Sequence, residues 1–496
     1  MRFFFPKPLA LALWLALGVA PAFAQSPAND PMKAAAQKAI ATNPEVTARL
    51  NQLRAAVDAM DIARAGMRPQ INLEASAGHE RESIATRKPE ELGLTRTGLG
   101  LSLNQLLWDG GALKHELQRL GNDKLARYFE LLDTTEQTAL EAARAYQDVQ
   151  RFRRLVELAE DSYVQHRYTL SQIQARFKAG VGRGVDNEQV VARLALAESN
   201  LAAEVSNLHD VTARYARIVG EAPPPKMPAV PSVAGALPTS PGEGMAQALR
   251  GNAAINAAIA NLRAARELAS ERRSALQPRV EARLRGGGGQ NFDGVADQRY
   301  ETSALVVLNW SLYDGGANQA RIRQQVRLVD QAADLRDKAC RDVRQTTAIA
   351  FNDTRKLIDQ LEALDRNVLA IEKTRDAYRQ QFDIGQRSLL DLLNSENELY
   401  TARRAQANAQ VDLEVARLRA LAAMQQLTPQ LGLARLDVGP EMEDAAQWDA
   451  GEDVPQRCPV LVTEVQTTPR ADLDARAQGM IRSAPAPQPA ASSGTK

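Results

Sequence analysis

Aromatic residues make up only 5% of the 496-residue chain, a small supply for the packed interior of a compact enzyme. Histidine is scarcer still: His79, His115, His166 and His209 are all there is, and none has the spacing of a metal-ligand set. No Ser-His-Asp or Cys-His arrangement can be assembled from the sequence, so the expectation is no metal, no cofactor and no enzymatic activity. The formal net charge is +1, which argues against nucleic-acid binding through a large basic surface. Beyond the N-terminus no run of about 18 apolar residues occurs, so no transmembrane helix is expected and any membrane crossing must use β-strands. Only two cysteines are present, Cys340 in a helical stretch and Cys458 beside Pro459. Two separate free thiols are the simpler reading, with a disulfide as the alternative in an oxidising compartment.

Alanine, leucine, arginine and glutamine dominate, which favours long helices. The first residues read as a secretory leader: basic Arg2 and Lys7, an apolar run from Leu9 to Val19, and Ala22-Phe23-Ala24 as a small-x-small site, with cleavage expected after Ala24. No Cys stands at that point, so an N-terminal lipid anchor is not expected.

An internal repeat organises the rest. Asp109 and Asp314, Phe177 and Phe382, Gly180 and Gly385, and Asp186 and Asp391 are each 205 residues apart, whereas Asn43 and Asn252, like Pro69 and Pro278, are 209 apart. The register changes between Pro69 and Trp108, where the copies differ in loop length. Each copy reads as a helix (Met32 to Gly66; Glu243 to Ser274) ended near a Pro. Two β-like runs follow, then a very long helix, then a shorter one (Asp186 to about Val219; Asp391 to about Leu427). The 71 residues from Asp109 to Gly180, and again from Asp314 to Gly385, would make rods of ~107 Å. Half-length helices stacked end to end would match such a rod in antiparallel coiled-coil pairs, and Val411, Val415, Leu418 and Ala422 fit a seam. The expected organisation is a leader over 1–24, repeat one over 25–222, a Pro-rich linker over 223–242, repeat two over 243–428 and a partly disordered tail over 429–496.

The four β-like runs alternate. Ile71, Leu73, Ala75 and Ala77 interleave with Asn72, Glu74 and Ser76, and Thr97, Leu99, Leu101 and Leu103 with Gly98, Gly100, Ser102 and Asn104. Val280, Ala282 and Leu284 interleave with Arg279, Glu281, Arg283 and Arg285, and the fourth run places Ala304, Val306, Leu308 and Trp310 on one face. A soluble sheet with one wet face gives the same alternation. Each run is also long enough for a tilted strand to cross a bilayer. Four strands cannot close a barrel, and open edges in lipid leave backbone groups unpaired at several kcal/mol each, so several chains would have to share one. Three chains would give twelve strands around a water-filled lumen. The glycines of "RGGGGQNFDG" (Gly286 to Gly289) lack the Lys and the helix of a phosphate loop. They are read as a hairpin loop facing outside, with Glu80, Glu82, Glu90 and Glu91 as a solvated loop on the matching hairpin.

"LLWDGGALKHELQRL" and "SLYDGGANQARIRQQ" repeat one phrase. Trp108 and Tyr313 suit an interface where strand leaves lipid. Asp109 and Asp314 suit the start of a helix, and Gly110, Gly111, Gly315 and Gly316 permit a sharp change from strand to helix. The phrase is read as a barrel-to-tunnel junction.

Together with "ATNPEV" at Ala41 to Val46, "RPQINLEASAG" at Arg68 to Gly78, "RFKAGVGRGVDNEQVVAR" at Arg176 to Arg193 and "FDIGQRSLLDLLNSENELY" at Phe382 to Tyr400, these features resemble the TolC family of bacterial outer-membrane channel proteins. The resemblance spans about Met32 to Leu427. It implies a mixed α and β membrane protein, a homotrimer whose chains each give four strands to a twelve-stranded barrel continued by a coiled-coil tunnel across the periplasm. It implies as partners a periplasmic adaptor, an inner-membrane ABC or other pump, outer-membrane lipid, and an exported protein or drug. The turns at Gly180 and Gly385 would form the tunnel tip, closed by polar links that match Asp186 and Arg387. Phe382 stands where the family pattern can hold a Tyr. Asp391 matches an acidic residue of the pore constriction, and Asn394 falls where some relatives carry a second one, which implies weaker divalent-cation block. Asp186 and Asp391 can equally cap the helices that begin there. The reading is a passive exit duct, with type I secretion of toxin-like proteins ahead of multidrug efflux. A soluble periplasmic coiled-coil scaffold is the alternative of another class, separable by detergent dependence.

Overall fold

The computed structural model describes residues 30–83, 85–86, 88–292, 297–461 and 467–483. The expected leader and the final Pro- and Ala-rich stretch lie outside them.

Each repeat opens on two helices where one was expected. α1 (Pro31–Thr42) and α2 (Pro44–Ala65) are separated by Asn43, and α5 (Pro241–Gly251) and α6 (Ala253–Ser274) by Asn252. Both asparagines have extended backbones and cap the following helix, Asn43 Oδ1 accepting from Glu45 N and Asn252 Oδ1 from Ala254 N, each at 2.9 Å. Asn is a strong N-cap residue, and Pro44 disfavours a helical conformation at the residue before it, so the break is local chemistry in the first copy and is kept without the Pro in the second. The second repeat starts at Pro241 behind the Ser240 cap, slightly ahead of the expected linker end.

The rods are α3 (Ala112–Lys178) and α7 (Ala317–Asp383), 67 residues each, or ~100 Å long. α4 (Gly184–Val219) runs back along α3, and α8 (Leu389–Ala423) along α7. α2 also lies on α3, α1 touches the far end of α4, and α6 packs between α3 and α7, joining the repeats. The main core is built largely of alanine, with Ala35, Ala36, Ala39, Ala139, Ala142, Ala143 and Ala145 around Tyr146 and Tyr215. Small side chains let the helices approach closely, and the few large ones fill what remains. Burial pushes the Tyr146 phenol up to about 12, and its hydroxyl donates to the Pro228 carbonyl at 3.1 Å. Gln150 and Arg153 donate to carbonyls of Pro224, Pro225, Met227 and Pro228, so the Pro-rich linker is fastened along α3.

β1 (Gln70–Ser83), β2 (Glu91–Trp108), β3 (Arg279–Gln290) and β4 (Gln298–Asn309) form one antiparallel sheet in chain order, the two hairpins joined through β2 and β3. The register sets Leu73 against Leu101, Leu103 against Leu284, and Leu284 against Ala304. One face therefore gathers apolar residues from all four strands, and much of it is exposed, with Ile71, Leu73, Leu99, Leu101, Val306 and Leu308 each more than half accessible, while Leu103, Val280 and Ala282 are half-buried. The opposite face carries Asn72, Glu74, Ser76, Gly98, Gly100, Ser102, Asn104, Arg283 and Arg285. Among the described residues, β1 and β4 have no partner on their outer edges. The glycine run is not a loop: Gly286 to Gly289 lie inside β3, and Glu80, Glu82 and Glu91 are strand residues too. Tyr300 covers Gly288 from β4, where an added Cβ would meet the ring at 2.4 Å. Aromatic cover of this kind supports glycine in a strand, and it was invisible in the local sequence because the cover comes from another strand.

The described part of the tail differs most from expectation. Cys340 and Cys458 form a disulfide, with Cα atoms 6.1 Å apart, so the free-thiol reading is overturned. The chain after the short α9 (Leu427–Gln430) folds back over the middle of the rods. Met442 enters a cluster with Val46, Leu53 and Leu131, and Trp448 sits edge-on to Phe129 at 4.8 Å and under the Arg263 guanidinium at 4.7 Å. Asp453 accepts from Arg263 at 2.7 Å and from Arg266, and its carbonyl accepts from Arg336 at 3.0 Å. Arg457 bridges Asp334 and Asp337 on α7. This strap binds α2, α3, α6 and α7 together. A final helix, α10 (Arg470–Ser483), is exposed.

Candidate gate and barrel-to-tunnel junction

Where sheet meets rod, the two DGG phrases adopt one geometry. Gly110 and Gly111 have φ of 69° and 86°, Gly315 and Gly316 of 70° and 87°, left-handed values that favour glycine over any residue with a Cβ. The glycines turn the chain so that each Asp faces the helix start. Asp109 Oδ1 accepts from Gly111 N at 3.0 Å and Oδ2 from Leu113 N at 2.8 Å. Asp314 repeats this with Gly316 N at 3.1 Å and Asn318 N at 2.7 Å. The otherwise unpaired N–H groups of both rods are thus satisfied by a carboxylate, which also suits the positive end of the helix. Trp108 ends β2 with its side chain exposed, Tyr313 is exposed, and Trp310 beyond β4 donates its indole N–H to the Leu276 carbonyl at 3.1 Å. The surroundings differ: a Cβ at Gly110 would come within 2.5 Å of Gln277, whereas Gly315 has open space within the chain.

At the other end of the rods, Gly180 and Gly385 have φ of 74° and 78°. Val181 N donates to Arg176 O at 3.1 Å and Gln386 N to Gln381 O at 2.8 Å, the same left-handed helix stop twice. The following helices begin earlier than expected, at Gly184 and Leu389, so Asp186 and Asp391 occupy the first turn rather than the cap. Ser388 caps α8: its hydroxyl accepts from Asp391 N at 3.2 Å and donates to the Asp391 carboxylate at 2.9 Å.

The remaining gate residues separate. Phe382 is buried with Ile173, Val190, Leu389 and Leu393, with the Arg176 guanidinium 4.9 Å above its ring, so within the chain it packs the tip rather than lining an opening. Arg387 does not pair with Asp186 in this chain. It lies over the Tyr378 ring at 4.5 Å, donates to Gln381 at 3.0 Å and stands 3.6 Å from Asp391. A tyrosine thus joins this network one helical turn before the position where the family pattern suggested one.

Asn394 accepts from Arg193 at 2.8 Å, linking α8 to α4. Farther from the tip, Arg404 pairs with the buried Glu204 at 2.7 Å. Arg379 donates both to Gln165 at 2.6 Å and to Glu396 at 2.8 Å. These ties between repeats were missed in the sequence because the partners lie 200 or more residues apart, Arg379–Glu396 excepted. Among the described residues no helix is long and apolar enough to cross a membrane, and no cluster of three or more metal-ligating side chains is present.

An exposed apolar sheet with two open edges, carried on two ~100 Å helical rods, defines a protomer of a membrane-embedded channel rather than an enzyme. The family model of the outer membrane efflux protein matches residues 35–221 and 245–428, and the chain belongs to that family, whose members are outer-membrane channels. It is 28% identical over 401 residues to the outer membrane efflux protein BepC of Brucella suis, covering 79% of this chain and 86% of that one. To the outer membrane protein TolC of Escherichia coli it is 23% identical over 417 residues, covering 79% and 82%. A shorter match, 34% over 125 residues, covering 23% and 24%, joins it to the alkaline protease secretion protein AprF of Pseudomonas aeruginosa. Among solved structures, a membrane protein from Pseudomonas aeruginosa superposes with a TM-score of 0.72 at 18% identity, covering 79% of this chain and 93% of that one.

Proposed function

We propose that three copies of this chain close a twelve-stranded barrel in the outer membrane, continued by a helical tunnel through the periplasm, and that the assembly is the passive exit duct of a tripartite export machine. The carrying observation is the sheet: its apolar face is largely exposed and, among the described residues, its two outer edges are unpaired. Water on that face and lipid at those edges are both costly; insertion into the membrane removes the first cost and closure with neighbouring chains the second. In this reading the leader covers 1–24, the repeats 25–222 and 243–428, and the linker 223–242. The DGG phrases mark the junction, and the turns at Gly180 and Gly385 with Asp186, Arg387 and Asp391 form the gate that a periplasmic adaptor and an inner-membrane pump act on.

The cargo is a secreted protein of the type I route. The similarity to a protease secretion protein supports this, and drug efflux is the second reading, supported by the BepC match. A soluble scaffold would leave the apolar face in water. Reconstitution into planar bilayers tests the duct: long-lived pores from a heat-dissociable trimer are expected, and a protein that stays monodisperse in plain buffer without forming pores refutes it. Affinity capture of the adaptor and its pump separates the cargo readings, an ABC exporter supporting secretion and a proton-driven drug pump supporting efflux.

A further inference from the structure

The water-facing side of the sheet carries one aromatic side chain that neither junction nor gate uses. Phe292 lies two residues beyond β3 and turns back so that its ring lies on Gly98 of β2 and Gly287 of β3. A Cβ at either glycine would come within 2.6 Å or 2.7 Å of the ring. By register both glycines share the face of Ser102, Asn104, Arg283 and Arg285, the side opposite the exposed leucines. Phe292 as a residue is only 7% exposed. Its approach is held by Asn291, whose side-chain amide donates to the Thr95 carbonyl at 2.8 Å. The Asn291 Oδ1 accepts from Asp297 N at 2.8 Å, and Asn291 N donates to the Asp297 carbonyl at 2.8 Å. β2 and β3 are the inner strands, so the ring sits away from the edges left for neighbouring chains. Beside it lies a recess of about 770 Å³ lined by Glu74, Glu80, Arg96 and Arg285.

Gly98, Gly100 and Gly287 leave a strip of bare backbone between the longer side chains of this wall, and Phe292 fills part of that space. Carbon atoms in contact are about 3.5–4.0 Å apart, so the ring thickens the wall by about that much over the bare glycine backbone. On the lipid side Tyr300 covers Gly288 in the same manner, where added bulk obstructs nothing.

We infer that Phe292 sets the bore of the outer part of the barrel: three rings, one per chain, form a narrowing separate from the helical tip and limit the size of solute that passes the outer mouth. The inference rests on the trimeric-duct reading. Its test is polymer exclusion in bilayers, with polyethylene glycols of graded size added only on the outer side and the largest one that lowers conductance recorded. Phe292→Ala should admit larger polymers than the wild type. Gly98→Ala, which drives a Cβ into the ring, should admit only smaller ones, and the double variant, with no ring to displace, should match Phe292→Ala. Phe292→Leu serves if the alanine variant fails to form heat-dissociable trimers, and an intermediate cut-off is expected from it. Conducting trimers with an unchanged cut-off in the Phe292 variant overturn this inference alone, whereas absence of any pore from the wild-type chain overturns the duct reading beneath it.

Discussion

Breaking the Cys340–Cys458 bond should loosen the strap over the middle of the rods, and the structure sets the size of the effect. The bond closes a loop of 118 residues, for which loop-closure entropy gives a stabilisation of about 5 kcal/mol as a ceiling. Other anchors remain in Cys458→Ser: buried Met442, Trp448 between Phe129 and Arg263, and Asp453 between Arg263 and Arg266. Burying one large apolar side chain contributes ~1.5–3 kcal/mol, so the strap should stay docked in mild buffer and release early under stress. Trp448 is a built-in reporter if Trp108 and Trp310 are replaced by Phe in a protein that starts after the expected leader, which carries Trp14. In guanidinium titrations its transition should precede loss of helical signal in Cys458→Ser and in the reduced wild type, and coincide with it in the oxidised protein. A Trp448 transition unmoved by both reduction and substitution would refute the argument that the bond holds the strap.

Gly110→Ala should harm trimer yield more than Gly315→Ala on unboiled gels: both incur about 1–2 kcal/mol for a left-handed backbone, and only Gly110 adds the Gln277 overlap, so equal losses would contradict this. Asp391→Asn should weaken block by divalent and trivalent cations in single-channel recordings, and unchanged block would remove Asp391 from the pore. Arg193→Ala and Asn394→Ala each break the α4–α8 tie and should raise resting conductance, with little further change in the double variant. The Asp337 and Asp453 carboxyls are pushed up by burial, but hydrogen bonds from Arg457 and Arg336, and from Arg263 and Arg266, outweigh this and hold both below their usual value. Their stabilisation is present above the unfolded value of ~3.9 and is lost as pH falls through the lower folded values. Hydrogen exchange across 448–458 should therefore rise only in strong acid, and a rise already near neutral pH would contradict the assignment.

Much of this protein could be read along the chain. The duplication, both rods, the four strands with their alternation, the paired left-handed glycine turns and the carboxylates that open each rod are all local patterns: a period, a breaker, an N–H that needs an acceptor. What escaped depended on residues distant in sequence. Gly286 to Gly289 look like a loop by composition and are a strand because Arg299 to Thr302 of β4 pair with them and Tyr300 covers one of them. Phe382 is a core residue because α3, α4 and α8 surround it. Arg193 and Asn394 meet only when the two repeats are laid side by side. Cys340 and Cys458 are bonded because a tail with no periodicity of its own binds charge by charge and ring by ring across four helices. The elements and their duplication follow from the order of residues alone, since short-range backbone chemistry sets them. The strap, the inter-repeat ties and the inlaid Phe292 emerge only on folding, because each is a contact between segments whose separate sequences carry no mark of the other.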